Sequence, residues 1–136
     1  MDRLLNIALD TFGGINVLVN CAGIIPLSSV ESCDIDLFHI MIATNLRGTF
    51  VVLGRVAKYI MHGGRIIVFS SSVIPMAFPT YGPYIASKAG VEYLVLVRVF
   101  ANEVRGINIT VNAMVPGLVE TEIFLTGKTQ LQTEQL

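Results

Sequence analysis

Tryptophan is absent from the 136 residues, and charge is scarce, with Asp, Glu, Lys and Arg together making up 14 %. Nine basic side chains against ten acidic ones leave a net charge of −1. That gives no basic field for a phosphate backbone, so no nucleic-acid partner is expected. Two cysteines, Cys21 and Cys33, are too few for a disulfide framework, and neither stands at metal-ligand spacing from His39 or His62. No metal site is expected. No stretch reaches the ~20 apolar residues of a bilayer span, and no basic segment followed by an apolar core opens the chain. The expectation is a cytoplasmic protein with no membrane partner. Intrinsic disorder is excluded as well, because 53 % of the residues are hydrophobic.

What is present is a series of short apolar bursts, Val17-Leu18-Val19 and Ile66-Ile67-Val68-Phe69 among them. Such bursts suit strands buried on both faces. Residues 2–12 carry apolar side chains at helical spacing and stop at Gly13-Gly14. Residues 15–20, 65–70 and 107–114 read as strands. A long helical region runs from about Asp34 to the stop at His62-Gly63-Gly64, and another covers about 84–105, closed by Gly106. Between the second strand and that helix lies a loop with Pro75, Pro79 and Pro83. The order α-β-α-β-α-β predicts one α/β domain over 1–136, with a parallel sheet and helices on both faces.

The sharpest chemical feature is Tyr84-Ile85-Ala86-Ser87-Lys88. In a helix, Tyr84 and Lys88 stand one turn apart on one face. A cation beside a phenol favours the phenolate and lowers a pKa that starts near ~10, which would make Tyr84 a general acid/base for a carbonyl or carbinol. Ser71 follows the second strand. Asn20 and Ala22-Gly23 follow the first, and Pro116-Gly117 the third. All of these collect at the carboxyl edge of the sheet, where open α/β folds bind ligands. Ser70 and Ser72 flank Ser71 and alternate away from it on an extended chain. Tyr81 is seven residues from Lys88 rather than one turn, so the acid/base role goes to Tyr84. Asn45 is a helix-disfavoured residue in an apolar stretch and needs a polar reason to be there.

With these residues in view, the chain resembles the short-chain dehydrogenases/reductases, over about 12–129, and within them most closely the reductases of aldehyde and 3-oxoacyl type. Leu18-Val19-Asn20-Cys21-Ala22-Gly23 is similar to the family's Asn-Asn-Ala-Gly segment, which supports the sheet beside the adenine of the cofactor; Cys21 departs from its second asparagine. The resemblance implies that Asn45 holds a water in a proton relay and that Ser71 hydrogen-bonds the substrate oxygen. It implies Tyr84 as acid/base and Lys88 as its tuning cation, with Lys88 also gripping the nicotinamide ribose. Pro116-Gly117-Leu118-Val119-Glu120-Thr121 resembles the segment that wraps the nicotinamide, through the Val119 backbone and the Thr121 hydroxyl. The implied cofactor is NAD or NADP, and the implied substrate a small carbonyl or alcohol.

The family's Gly-x-x-x-Gly-x-Gly loop is not among the twelve glycines. That loop brings the backbone to the pyrophosphate at a helix N-terminus. The resemblance therefore implies a partial doubly wound, Rossmann-like sheet of about three strands that lacks the N-terminal dinucleotide half, roughly 60 residues or more at ~30 per βαβ unit. The expectation is an oxidoreductase homologue inactive by itself, completed by an N-terminal chain. The alternatives are a non-catalytic remnant, or an interaction module that pairs with further copies through its long helices.

Overall fold

The computed structural model describes residues 2–94 and 98–117. Strands β1 (Ile15–Asn20), β2 (Ile60–Phe69) and β3 (Thr110–Met114) lie side by side in chain order, all parallel. Helix α1 (Asp2–Phe12) precedes β1, and Gly13, at φ +74°, turns the chain out of it. Helix α2 (Ile35–Met41) starts where the Asp34 carboxylate accepts from the Leu37 N–H. It continues through a π-helical turn (Ile42–Arg47) into α3 (Gly48–Val56). After β2 come the single turn α4 (Val73–Met76), inside the expected proline loop, and α5 (Gly82–Ala89), which passes into a second π turn (Gly90–Leu94). Helix α6 (Arg98–Glu103) and a 3-10 turn (Arg105–Ile107) lead to β3.

Three features differ from expectation. The helical region ends at Val56 rather than at His62-Gly63-Gly64, and His62 is an exposed strand residue. The glycines serve the strand instead. Gly63, at φ +79°, lies where the β1–β2 register slips, Ile15 pairing with Ile60 but Val17 with Arg65. The third strand begins at Thr110, because 105–107 is taken up by the 3-10 turn and Asn108 is left-handed at φ +56°.

The third difference concerns the layers. Register pairs Leu18 with Ile66 and Ile66 with Val111, and this face is covered by α1, α3, the second π turn and the end of α6 through Leu5, Leu53, Val56, Val91 and Val104. On the other face Val17 and Val19 are 56 % and 51 % exposed, and no described helix covers them. The reason is topological. Strands laid in one direction by two crossovers of the usual right hand receive both helices on the same face. By length and composition the run Ile35–Val56 would suit a membrane span; Met41, Leu53 and Val56 within it are buried, and Ile35, Ile40, Phe50 and Val51 are exposed.

Candidate active site

The carboxyl ends of the strands carry the polar residues, and they meet there. Asn20 ends β1 and is buried, its Nδ2 donating to Thr49 Oγ1 at 3.0 Å. Thr49 in turn donates to the Asn45 carbonyl at 2.6 Å. That carbonyl belongs to the π turn, where the wider winding disturbs the regular backbone ladder, and the threonine hydroxyl completes its bonding. The Asn45 side chain is 1 % exposed. Its Oδ1 accepts from the Ile24 N–H at 2.9 Å and its Nδ2 donates to the Ile24 carbonyl at 3.0 Å, so it pairs with the loop after β1 as a neighbouring strand would. The same Nδ2 lies 3.0 Å from Ser87 Oγ, which donates to the Tyr84 carbonyl at 2.7 Å. A buried polar chain thus runs from β1 to the helix of Tyr84. This is the polar reason that Asn45 required.

Tyr84 and Lys88 stand one turn apart on α5, both buried, with the ammonium 5.9 Å from the centre of the phenol ring. Lys88 Nζ donates to the Phe69 carbonyl at 2.8 Å. Ser71 is half-buried at the exit of β2, near enough to the Tyr84 phenol for its hydroxyl to favour the ionised form. A Cβ placed on Gly23 would lie 3.4 Å from Asn45 Oδ1 and 3.5 Å from Lys88 Nζ, so the glycine leaves a shallow bay between them. Ala22 is exposed. Pro116 accepts from the Ser72 N–H at 3.1 Å and keeps the exit of β3 beside that of β2, with Gly117 open to solvent. Val119 and Thr121 lie outside the described residues.

The electrostatics differ from the sequence expectation. Burial raises the Tyr84 phenol above its ordinary 10.0, and the Ser71 hydroxyl offsets this only in part. Burial also lowers Lys88 below 10.5, with Cys21 acting weakly in the other direction. The lysine does not pull the phenol down, because desolvation dominates and its ammonium is engaged with Phe69. The result is a neutral phenol beside a hydroxyl, a proton donor ready for a developing alkoxide. Tyr81 packs edge-on against Tyr84 and closes the apolar wall with Met41 and Val73.

Sequence reasoning missed Thr49, Ser87 and Glu92. Each stands three or four residues from a residue already singled out (Thr49 from Asn45, Ser87 from Tyr84, Glu92 from Lys88), and that helical spacing was the available signal. Ser70 does point away from Ser71, as expected of an alternating chain. It is buried, and its hydroxyl donates to the Glu92 carboxylate. A cavity of about 300 Å³ opens between Val30, Phe38 and Pro83. Neither Ser71, Tyr84 nor Lys88 lines it, so it belongs to the outer wall rather than to this site.

The residues present suit the nicotinamide-ribose end of a dinucleotide. The bay at Gly23 lies beside the Lys88 ammonium, which stands 5.9 Å from the centre of the Tyr84 ring, and these are the groups that would hold a ribose hydroxyl.

The profile of the short chain dehydrogenase family matches residues 1–131. A short-chain type dehydrogenase/reductase of Picea abies is 37 % identical over 97 % of this chain and 49 % of its own length. An NADPH-dependent aldehyde reductase 2, chloroplastic, of Arabidopsis thaliana is 38 % identical over 83 % of this chain and 42 % of its own. Among solved structures, a short chain dehydrogenase from Burkholderia cenocepacia in complex with NADP superposes with a TM-score of 0.85 at 25 % identity, covering 98 % of this chain and 54 % of that one. The chain spans about half the length of the curated relatives it matches.

Proposed function

The chain belongs to the short-chain dehydrogenase/reductase family, and from that premise we propose that it carries the acid/base centre of an NAD(P)-dependent oxidoreductase acting on a small carbonyl or alcohol. The observation that carries the reading is the buried, neutral Tyr84 phenol with Lys88 one turn on and Ser71 beside it. A substrate carbonyl entering between the two hydroxyls would accept from both. As negative charge gathers on its oxygen, Tyr84 gives up its proton there and Ser71 holds the oxygen in place. Asn45 anchors the loop at Ile24 that bounds the site. Bound NAD(P) would supply or remove the hydride, with Lys88 and Tyr84 reaching its ribose. NADPH and an aldehyde are the first pair to test, since one relative is an NADPH-dependent aldehyde reductase.

In the full-length protein, Tyr84→Phe should lower kcat for NADPH-dependent benzaldehyde reduction by about 10²–10⁴, the usual worth of a positioned acid. A variant that kept the wild-type rate would overturn the assignment. The 136 residues alone hold no glycine loop for the pyrophosphate, so by themselves they should bind NADPH weakly, as read by nucleotide fluorescence.

A second reading concerns association. Phe50 and Val51 on α3 are exposed, as are Ile35 and Ile40 on α2. This apolar flank favours pairing with a second copy of the chain, and sedimentation showing only monomer would count against it.

A further inference from the structure

We propose that Glu92, acting through the Ser70 hydroxyl, is a positioning residue that sets the register between the helix carrying Tyr84 and Lys88 and the strand end carrying Ser71. Tyr84, Lys88 and Glu92 succeed one another at four-residue steps, and each stands by one of three consecutive residues at the end of β2. Lys88 donates to the Phe69 carbonyl at 2.8 Å and Glu92 accepts from the Ser70 hydroxyl, while Tyr84 stands near the Ser71 hydroxyl. Ser70 lies on the covered face of the sheet with Ile66 and Val68, where an alanine would pack without needing a partner. A carboxylate brought partly out of water to meet it loses solvation, and a charged acceptor makes the stronger hydrogen bond in return.

Sideways, the strand end is already tied to β3 by the Ser70 N–H on the Met114 carbonyl at 2.8 Å and the Ser72 N–H on Pro116 at 3.1 Å. Toward the helix, Lys88 and Glu92 hold it. Under the proposed function Lys88 turns to the cofactor's ribose, which takes its ammonium off Phe69. The Glu92–Ser70 bond is then what keeps Ser71 opposite Tyr84. This kinetic consequence rests on the oxidoreductase reading, while the register itself does not.

The test uses the full-length protein with Ser70→Ala, Glu92→Leu, Glu92→Gln and the double variant Ser70→Ala/Glu92→Leu. Steady-state kinetics with NADPH and benzaldehyde are read beside ultraviolet difference titration of the Tyr84 phenol, taken against Tyr84→Phe in each background. Ser70→Ala and Glu92→Leu should each lower kcat about tenfold with KM little changed, and the pair should be no worse than either alone, as expected of two residues that act as one unit. Glu92→Gln keeps an acceptor oxygen and should keep most of the rate. The phenol midpoint should rise by about half a pH unit in the Leu and Ala variants as Ser71 withdraws, and stay in the Gln variant. Additive kinetic losses, or a midpoint unmoved by Ser70→Ala, would overturn the proposal. Should the wild-type protein reduce no carbonyl, the oxidoreductase reading fails, and the titration alone still decides the register. Ser70→Ala removes a single oxygen, so it serves if Glu92→Leu does not fold.

Discussion

Thr49 does two jobs with one hydroxyl, accepting from Asn20 and donating to the Asn45 carbonyl. Thr49→Val keeps its shape and strands both partners in a buried place, at about 1–3 kcal/mol for each. The urea midpoint should fall accordingly, and Thr49→Ser should restore most of it. Gly23 has room for a methyl group at ordinary contact distance, and its φ is not in the left-handed range. Gly23→Ala should therefore fold with stability within about 1 kcal/mol of wild type. Because the methyl fills the bay between Asn45 and Lys88, it should weaken NADPH binding in the full-length protein, as read by nucleotide fluorescence. The buried phenols make stability fall at alkaline pH. Tyr84 and Tyr81 are raised above 10.0, so the unfolded chain ionises first. The stability they contribute is whole below 10.0 and drains away as the pH climbs to their raised values. Lys88, lowered by burial, acts with the opposite sign, and its penalty at neutral pH is relieved as the pH rises toward 10.5. Urea midpoints across this range should show a shallower alkaline fall for Tyr84→Phe and a steeper one for Lys88→Met.

The two π turns bring their helices together at Gly90, where an added Cβ would meet the end of Leu46 at 3.0–3.2 Å. A flexible leucine tip can give a few tenths of an ångström. Gly90→Ala should be near neutral, since the helix gains roughly 0.5–1 kcal/mol from losing glycine. Gly90→Leu has nowhere to go and should cost about 1–3 kcal/mol by overpacking, readable as a fall in the denaturation midpoint. These elements were unevenly legible. The 15–20 strand and the Asp34 start of the long helix stand where apolar run and capping residue put them. The end of that helix does not, because Gly63-Gly64 suits a helix stop and a strand bulge equally well, and only pairing with β1 selects the bulge. That Tyr84 and Lys88 stand one turn apart and that Gly23 follows β1 was readable from helical spacing and strand ends, whereas Asn45 stood out only as a helix-disfavoured residue in an apolar stretch. The raised phenol was not readable, since desolvation depends on walls such as Met41 and Val73 that sequence spacing does not bring to the site.

At the scale of the molecule, the open side of the sheet is the dominant feature. Val17 and Val19 stand exposed on an edge strand whose outer backbone groups have no described neighbour, an arrangement prone to pairing with other chains. The purified 136-residue polypeptide should bind a hydrophobic dye and associate in a concentration-dependent way. Val19→Lys should weaken both while leaving the far-ultraviolet circular dichroism unchanged; persistence of both in that variant would place the sticky surface elsewhere. The exposed apolar residues of the 15–20 segment follow from the sheet's one-sided covering, which alternation within a six-residue burst does not disclose. Strand order has a separate consequence for how the molecule comes into being. Because β1, β2 and β3 lie in the sheet in the order in which they occur in the chain, none of the described strands must be wedged between two that have already paired. A nascent chain leaving the ribosome can lay each new strand on the growing edge as its crossover helix emerges, in keeping with synthesis at ~5–20 residues per second. The Asn20 end of the site is built first, the Tyr84 helix settles on it next, and the exit at Pro116 is placed last.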